Sequence, residues 1–316
     1  MVHDTQAPVV GPGRGRPAGR EQRAASAFLS PWAVGFLVFT AGPMMVSLVL
    51  SFTDYPILHP SATKFVGLGN YDRAAHDPVL AHSVLVTLYY VALAVPADLA
   101  LGLLLALLLN SRVRGTGLFR TIFLLPVMIA GTGGASVAVA LLFLWLFQPR
   151  FGLLNYVIGL VGIPPQLWVA SAREVVPALA VMSLWGVGRS MLIFLAALQS
   201  LSPDVLSAAM LDGASSWRRF CRVTLPLISP ALLFNLVLDL IGGLQTFTQA
   251  YVVTAGGPGN SSLFYMLYLY RNAFTYLQMG YASALAWLLF AFTTLVTVLL
   301  FRSARFWVFY GGADRA

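Results

Sequence analysis

Lysine is almost missing from this 316-residue chain; Lys64, in P-S-A-T-K-F-V-G, is its only instance. A phosphate-cradling loop needs G-x-x-x-x-G-K followed by Ser or Thr. The chain therefore has no P-loop and cannot be the ATPase of a pump. Cys221 is the single cysteine, which excludes an intrachain disulfide. The four histidines, His3, His59, His76 and His82, have no second ligand at helical spacing, so no metal site is expected. Neither an H-E-x-x-H pattern nor an intramembrane Ser, His and Asp set is present, and no catalytic role follows. Charge is scarce as well. Only 9% of residues are charged against 59% hydrophobic, and the mean hydropathy of +0.81 is far too apolar for a soluble domain of this length.

What is present in quantity is long uncharged sequence. No charge falls between Arg23 and Asp54, Arg120 and Arg150, Arg222 and Asp239, or Arg271 and Arg302. A helix needs about 20 apolar residues to cross a hydrocarbon core of about 30 Å. Allowing one buried charge each around Asp98 and Arg189, the sequence predicts an all-α integral membrane protein with six spans at 28–52, 82–109, 121–147, 175–199, 231–253 and 282–304. Residues 1–25 read as a disordered cytoplasmic tail without a cleavable signal. Residues 26–308 read as the membrane domain, and 309–316 as a short C-terminal tail.

Basic residues set the orientation. Arg14, Arg16, Arg20 and Arg23, Arg112, Arg114 and Arg120, Arg218, Arg219 and Arg222, and Arg302, Arg305 and Arg315 fall on one side of a six-span chain. Lys64, Arg73, Arg150, Arg173 and Arg271 fall on the other. The first group is expected in the cytoplasm with both termini. The net charge of +8 thus reports topology in a cell (inner or plasma) membrane and gives no support to a nucleic-acid partner.

Two polar features stand out. The interruption at 202–230 reads as a helix capped by Ser202 with Pro203 in its first turn, an Asp212-Gly213 corner, and a second helix from Ser215 or Ser216 to near Pro226. Ser207, Ala208 and Ala209 give the first helix a small-residue face, and Trp217, Phe220 and Cys221 recur at helical spacing on the second. The other feature is a set of three intramembrane charges, Asp98, Arg189 and Asp239. Each is costly at mid-helix if unpaired, and such groups face a bundle interior or a water-filled cavity. Outside the spans, residues 54–80 read as turns followed by a helix, and T-A-G-G-P-G-N-S-S at 254–262 as a loop. Residues 263–279 fit an interfacial helix, an outer gate or a re-entrant connection. Gly131, Gly133 and Gly134 permit either close packing or bending of the third span.

In order and spacing, these residues resemble the permease subunits of binding-protein-dependent ABC importers, of the sugar and glycerol-phosphate branch that includes maltose and trehalose permeases. The family's E-A-A, D-G-A, aromatic helix and L-P-x-x-x-P signature is matched by Ser207-Ala208-Ala209, Asp212-Gly213-Ala214, Phe220 and Leu225-Pro226 with Pro230. Further matches are S-F-T-D at 51–54, F-V-G-L at 65–68, F-G-L-L-N at 151–155, G-G-P at 256–258 and G-Y-A-S-A at 280–284.

The resemblance implies that 202–230 is a coupling helix seated on a cytoplasmic ATPase, through Ser207, Ala208, Ala209, Asp212, Gly213, Ala214, Trp217 and Phe220. Ser207 stands where the family carries glutamate, so docking is expected to rest on shape. The implied substrate pathway is Gly186, Arg189, Asp239, Gly242, Gly243 and Thr246, with Trp185 or Phe247 as a stacking face for a sugar ring. For Arg189 and Asp239 the alternative is a purely structural ion pair. Asp98 reads as structural or as a subunit-interface residue.

The implied partners are a second homologous permease, a homodimeric ATPase that binds ATP and Mg, an extracytoplasmic solute-binding protein and membrane lipid, with no cofactor in this chain. The implied cargo is a di- or oligosaccharide or polyol. The alternatives are glycerol 3-phosphate or a glycerophosphodiester with Arg189 on the phosphate, and a stand-alone transporter using Asp98 and Asp239 as proton sites.

Overall fold

The computed structural model describes residues 18–111, 116–130 and 137–309. His3, Arg14, Arg16, Arg112, Arg114, Arg315 and the glycines Gly131, Gly133 and Gly134 lie outside the described residues, as do residues 1–17 and 310–316 of the two expected tails. The first helix begins at Ala18, inside the stretch expected to be tail.

Among the described residues, three helices are long and apolar enough to cross a bilayer, namely Ala25–Ser51, Pro78–Asn110 and Met279–Trp307. Two bent pairs add Val175–Gly186 with Gly188–Gln199, at 50°, and Ser216–Leu227 with Ser229–Leu244, at 67°. The shorter helices Thr116–Ala130 and Val137–Leu146 flank residues 131–136 where the third span is expected. These elements are consistent with six spans. They are called spans one to six below, in chain order, span five being Ser229–Leu244 with the turn Ala250–Thr254 that continues it.

The buried residues fall into two apolar clusters. One includes Tyr90, Val91, Phe147, Leu179, Phe264 and Leu285. The other comprises Ala106, Leu109, Met191, Phe194, Leu195, Leu198 and Ile228. Between them, along spans two, four and five, the sequence turns polar at Asp98, Arg189-Ser190 and Asp239. Asp98 lies twelve residues from the end of its helix at Asn110, about 18 Å at 1.5 Å per residue. Arg189 is ten residues from Gln199 and Asp239 ten from Ser229, about 15 Å in each case. All three charges therefore sit at one level, close to the middle of a core about 30 Å thick.

The connections gather at opposite ends of the bundle. At one end Thr53–Asp54 pairs antiparallel with Lys64–Phe65, followed by the helix Gly69–His76. Asp77 caps span two, its Oδ1 accepting from Val79 N at 2.9 Å and Leu80 N at 3.2 Å. Its Oδ2 accepts from Tyr268 Oη at 2.5 Å and Tyr281 Oη at 2.7 Å. One carboxylate thus ties the start of span two to the start of span six and to the segment between spans five and six. That segment, expected as an interfacial helix, a gate or a re-entrant connection, packs into the core: Leu263, Phe264 and Leu267 are buried, and Tyr265 N donates to Thr87 Oγ1 at 2.9 Å. Phe264 packs on Tyr90 of span two, Tyr265 Oη donates to Leu285 O of span six, and Tyr270 packs on Phe247 and Tyr251, which suits a re-entrant connection. At the other end Phe309 N donates to Ser229 Oγ at 2.9 Å, joining the end of span six to the start of span five.

Candidate functional site

Span four does not run straight through the polar level. Its helix Val175–Ser183 tightens into a 3-10 turn at Leu184–Gly186 and resumes at Gly188. Gly188 explains the location of the bend: a Cβ there would lie 2.0 Å from Phe123 O, so only glycine lets span three approach so closely. Span five breaks at almost the same level, ending at Leu244 and regaining helical turns only near Ala250. Irregular backbone at membrane depth is tolerated where it is buried in protein or lines a cavity.

Both breaks border a cavity of about 140 Å³ between spans two, three, four and five. All six residues of the expected pathway line it: Gly186 and Arg189 from span four, and Asp239, Gly242, Gly243 and Thr246 from the span-five stretch. Arg189 Nη2 donates to Asp239 Oδ1 in an ion pair across the two spans. The Arg189 side chain is 38% exposed and the Asp239 side chain 6%. Asp98, also in the lining, accepts from Ser190 Oγ and faces both Arg189 and Asp239. Arg189 therefore faces carboxylates from spans two and five, which also lie within hydrogen-bond reach of each other. Asn235 Nδ2 donates to Ser190 O at 3.3 Å and braces the same junction from below.

Trp185 and Phe247 are not among the lining residues. Trp185 is edge-on to Phe143 at 5.8 Å, and Phe247 stacks on Tyr251 at 5.2 Å. Sequence reasoning missed Tyr90, Ser183 and Gln249, which do line the cavity, with Tyr90 Oη donating to Gln249 Oε1 at 3.2 Å. The signal was available. Tyr90, Ala94 and Asp98 recur every four residues, and Asp239, Gly242, Thr246 and Gln249 every three or four, so each set is a small or polar stripe on one helix face.

The loop at 202–230 has the expected helix, corner and helix. Ser202 Oγ caps Pro203–Leu211 by accepting from Asp204 N at 3.3 Å. Gly213, at φ +74°, closes that helix: Gly213 N bonds Met210 O at 3.0 Å and Ala214 N bonds Ala209 O at 3.1 Å, the paired bonds of a Schellman stop. Ser215 starts the next helix at Ser216, and helical turns continue to Leu227 before the 67° bend into span five. Trp217 and Phe220 lie ring to ring at 5.8 Å. Ser207, Ala208, Asp212, Gly213 and Trp217 are exposed, whereas Ala209, Ala214 and Phe220 are half-buried. Leu211, at 89% exposure, and Trp217, at 74%, make an apolar tip on this corner.

A multispan helical bundle with a polar mid-level cavity, and a rigid corner that continues into one of the cavity-lining spans, is the architecture of a membrane permease. Residues 98–308 match the family described as binding-protein-dependent transport system inner membrane component, and the chain belongs to that family. It is 40% identical to the probable ABC transporter permease protein YesP of Bacillus subtilis over 94% of this chain and 95% of that protein. It is 31% identical to the trehalose/maltose transport system permease protein MalF of Thermococcus litoralis, over 91% and 95% respectively. Against the lactose transport system permease protein LacF of Rhizobium radiobacter the identity is 33%, over 88% and 93%. A bacterial alginate ABC transporter, solved in complex with an alginate pentasaccharide-bound periplasmic protein, has a chain of the same fold. It superposes with a TM-score of 0.77 at 20% identity, covering 90% of this chain and 95% of that one.

Proposed function

We propose that this chain forms half of the translocation pathway of an ATP-driven importer for a di- or oligosaccharide or related polyol. The observation that carries the reading is the mid-level cavity, where donors and acceptors from spans two, four and five converge between two dry clusters. Carboxylates that accept sugar hydroxyl hydrogens, and a half-exposed guanidinium that donates to sugar oxygens, suit a neutral polyhydroxylated solute. The sugar names of the trehalose/maltose and lactose relatives agree with this. A phosphate solute is less well served, because Arg189 is already paired with Asp239 and faces Asp98.

In this reading both termini and the corner at 202–230 face the cytoplasm, where the corner docks on a separate ATPase that binds ATP and Mg. Closure of that ATPase pushes on the helix Ser216–Leu227 and through the bend at Ile228 on span five, which carries Asp239. A solute-binding protein delivers cargo at the opposite end. A second permease completes the pathway, and span one, which meets span six through Ser47 and Trp287 but has an apolar window with no buried residue, has surface to pack against it or against lipid.

The test is to narrow the cavity in the reconstituted importer by Gly242→Leu and to remove a hydroxyl by Thr246→Val. Both are expected to raise the half-saturating solute concentration for uptake while leaving basal ATP hydrolysis unchanged. Uptake kinetics identical to those of the parent complex would overturn the assignment.

A further inference from the structure

A second cavity, of about 250 Å³, lies between span two (Leu80, Val84, Leu88), span five (Leu244) and span six (Leu288, Phe292). It shares no lining residue with the polar cavity. Two polar side chains reach its wall, and both are already engaged. Thr87 Oγ1 donates to Ser83 O at 2.7 Å and accepts from Tyr265 N at 2.9 Å, and Tyr265 Oη donates to Leu285 O at 2.7 Å. The interior therefore presents hydrocarbon alone. A buried water needs two to four polar partners and finds none there, and a sugar would leave its hydroxyls unpaired.

The mouth is formed by Leu88 and Phe292, which are 38% and 40% exposed on the outside of the bundle. From the Asp77 cap the lining of span two runs from Leu80 to Leu88, about 5 to 16 Å along the helix axis. Leu88 is ten residues, about 15 Å, from the mid-core level of Asp98, and Phe292 is the fourteenth of the 29 residues of span six, so the mouth runs from the Asp77-side edge of the hydrocarbon core toward its middle and opens sideways at acyl-chain depth. We propose that this cavity is a binding site for one acyl chain of a bilayer phospholipid, inserted between spans two, five and six beneath the buried segment Tyr265–Tyr270. The chain would replace missing packing where span five breaks, so lipid would support the cavity-lining region from behind.

The test uses the assembled importer in nanodiscs of phosphatidylcholine doped with a phosphatidylcholine bearing a diazirine midway along one acyl chain. Photolabel is expected to concentrate on peptides containing Val84, Leu88, Leu288 and Phe292. It should fall at least tenfold in Val84→Phe/Leu288→Phe, which fills the interior, and in Leu88→Trp, which alters only the half-exposed mouth and keeps the test valid if the double variant fails to assemble. Label spread evenly over the exposed faces of spans one and six and unchanged by either variant would overturn the proposal. Efficient disulfide cross-linking of a Leu88→Cys or Phe292→Cys variant to a cysteine in the companion permease would also overturn it, by making the cavity a protein interface.

Discussion

Neutralising the two members of the Arg189–Asp239 pair one at a time should have unequal effects. The Arg189 side chain, which lines the cavity, is 38% exposed, whereas the Asp239 side chain is 6% exposed. Arg189→Met leaves Asp239 almost fully desolvated, and the adjoining Asp239 and Asp98 carboxylates then have no cation beside them. Breaking a buried pair in this way costs about 3–5 kcal/mol, in line with about 2.5–3.5 kcal/mol for an uncompensated charge at mid-helix. Asp239→Asn instead leaves a partly hydrated arginine that still has Asp98 as counterion, so its cost should stay within the ordinary range of about 0.5–3 kcal/mol. The double variant removes both charges, and its destabilisation should be smaller than that of Arg189→Met alone, which is a direct measure of coupling. Thermal unfolding of the purified complex should therefore rank parent, then the double variant and Asp239→Asn, then Arg189→Met. Uptake separates the roles. If the pair lines the solute path, the double variant remains impaired in transport although its stability recovers. Equal destabilisation by the two single changes would refute the burial argument, and full uptake by the stable double variant would reduce the pair to a structural tie.

Other substitutions probe the corner at 202–230, the bend and the Asp77 clasp. A Cβ at Gly213 would meet nothing within 4 Å, so Gly213→Val costs only the left-handed strain of about 1–2 kcal/mol. The corner should still form, and a loss of uptake with ATP hydrolysis retained would locate the defect at the ATPase contact; unchanged coupling would argue against docking there. Ser207 is exposed, so Ser207→Glu should change stability by no more than about 0.5 kcal/mol, and any gain in complex yield would report a basic partner on the ATPase. Gly188→Ala should destabilise strongly because its Cβ would collide with backbone at Phe123 O, and normal expression of the variant would contradict the close approach.

Burial raises the Asp77 pKa, but hydrogen bonds from Tyr268, Tyr281 and the backbone of Leu80 and Val79 outweigh it, leaving the net value below the ordinary 3.8. Its contribution to stability is therefore complete above about pH 3.8 and is lost as pH falls through the lower folded value. Asp77→Ala should cost about 1–3 kcal/mol at neutral pH from the lost cap and charge-assisted bonds. A melting temperature equal to that of the parent would show that the clasp is slack.

Much of this was legible in the sequence because the membrane restricts the options. Charge spacing located the spans, and capping chemistry at Ser202, Asp212-Gly213 and Ser215 located the corner, since each is decided within a few residues. The six pathway positions came from the resemblance, and three intramembrane charges supported them independently. What stayed hidden depends on contacts distant in sequence. Nothing near Asp77 says that its carboxylate meets Tyr268 and Tyr281, and nothing in 263–279 says that an aromatic segment is buried against Thr87. The expected stacking role of Trp185 failed for the same reason, since its ring packs on Phe143 of another span.

The central claim is tested most directly by uptake into proteoliposomes containing this chain with its companion permease and ATPase, supplied with binding protein outside and ATP inside. Labelled solute should accumulate only when both are present, and neutral di- or oligosaccharides should compete while glycerophosphodiesters do not. Competition by phosphodiesters and not by sugars, or transport by this chain alone driven by a proton gradient, would contradict it.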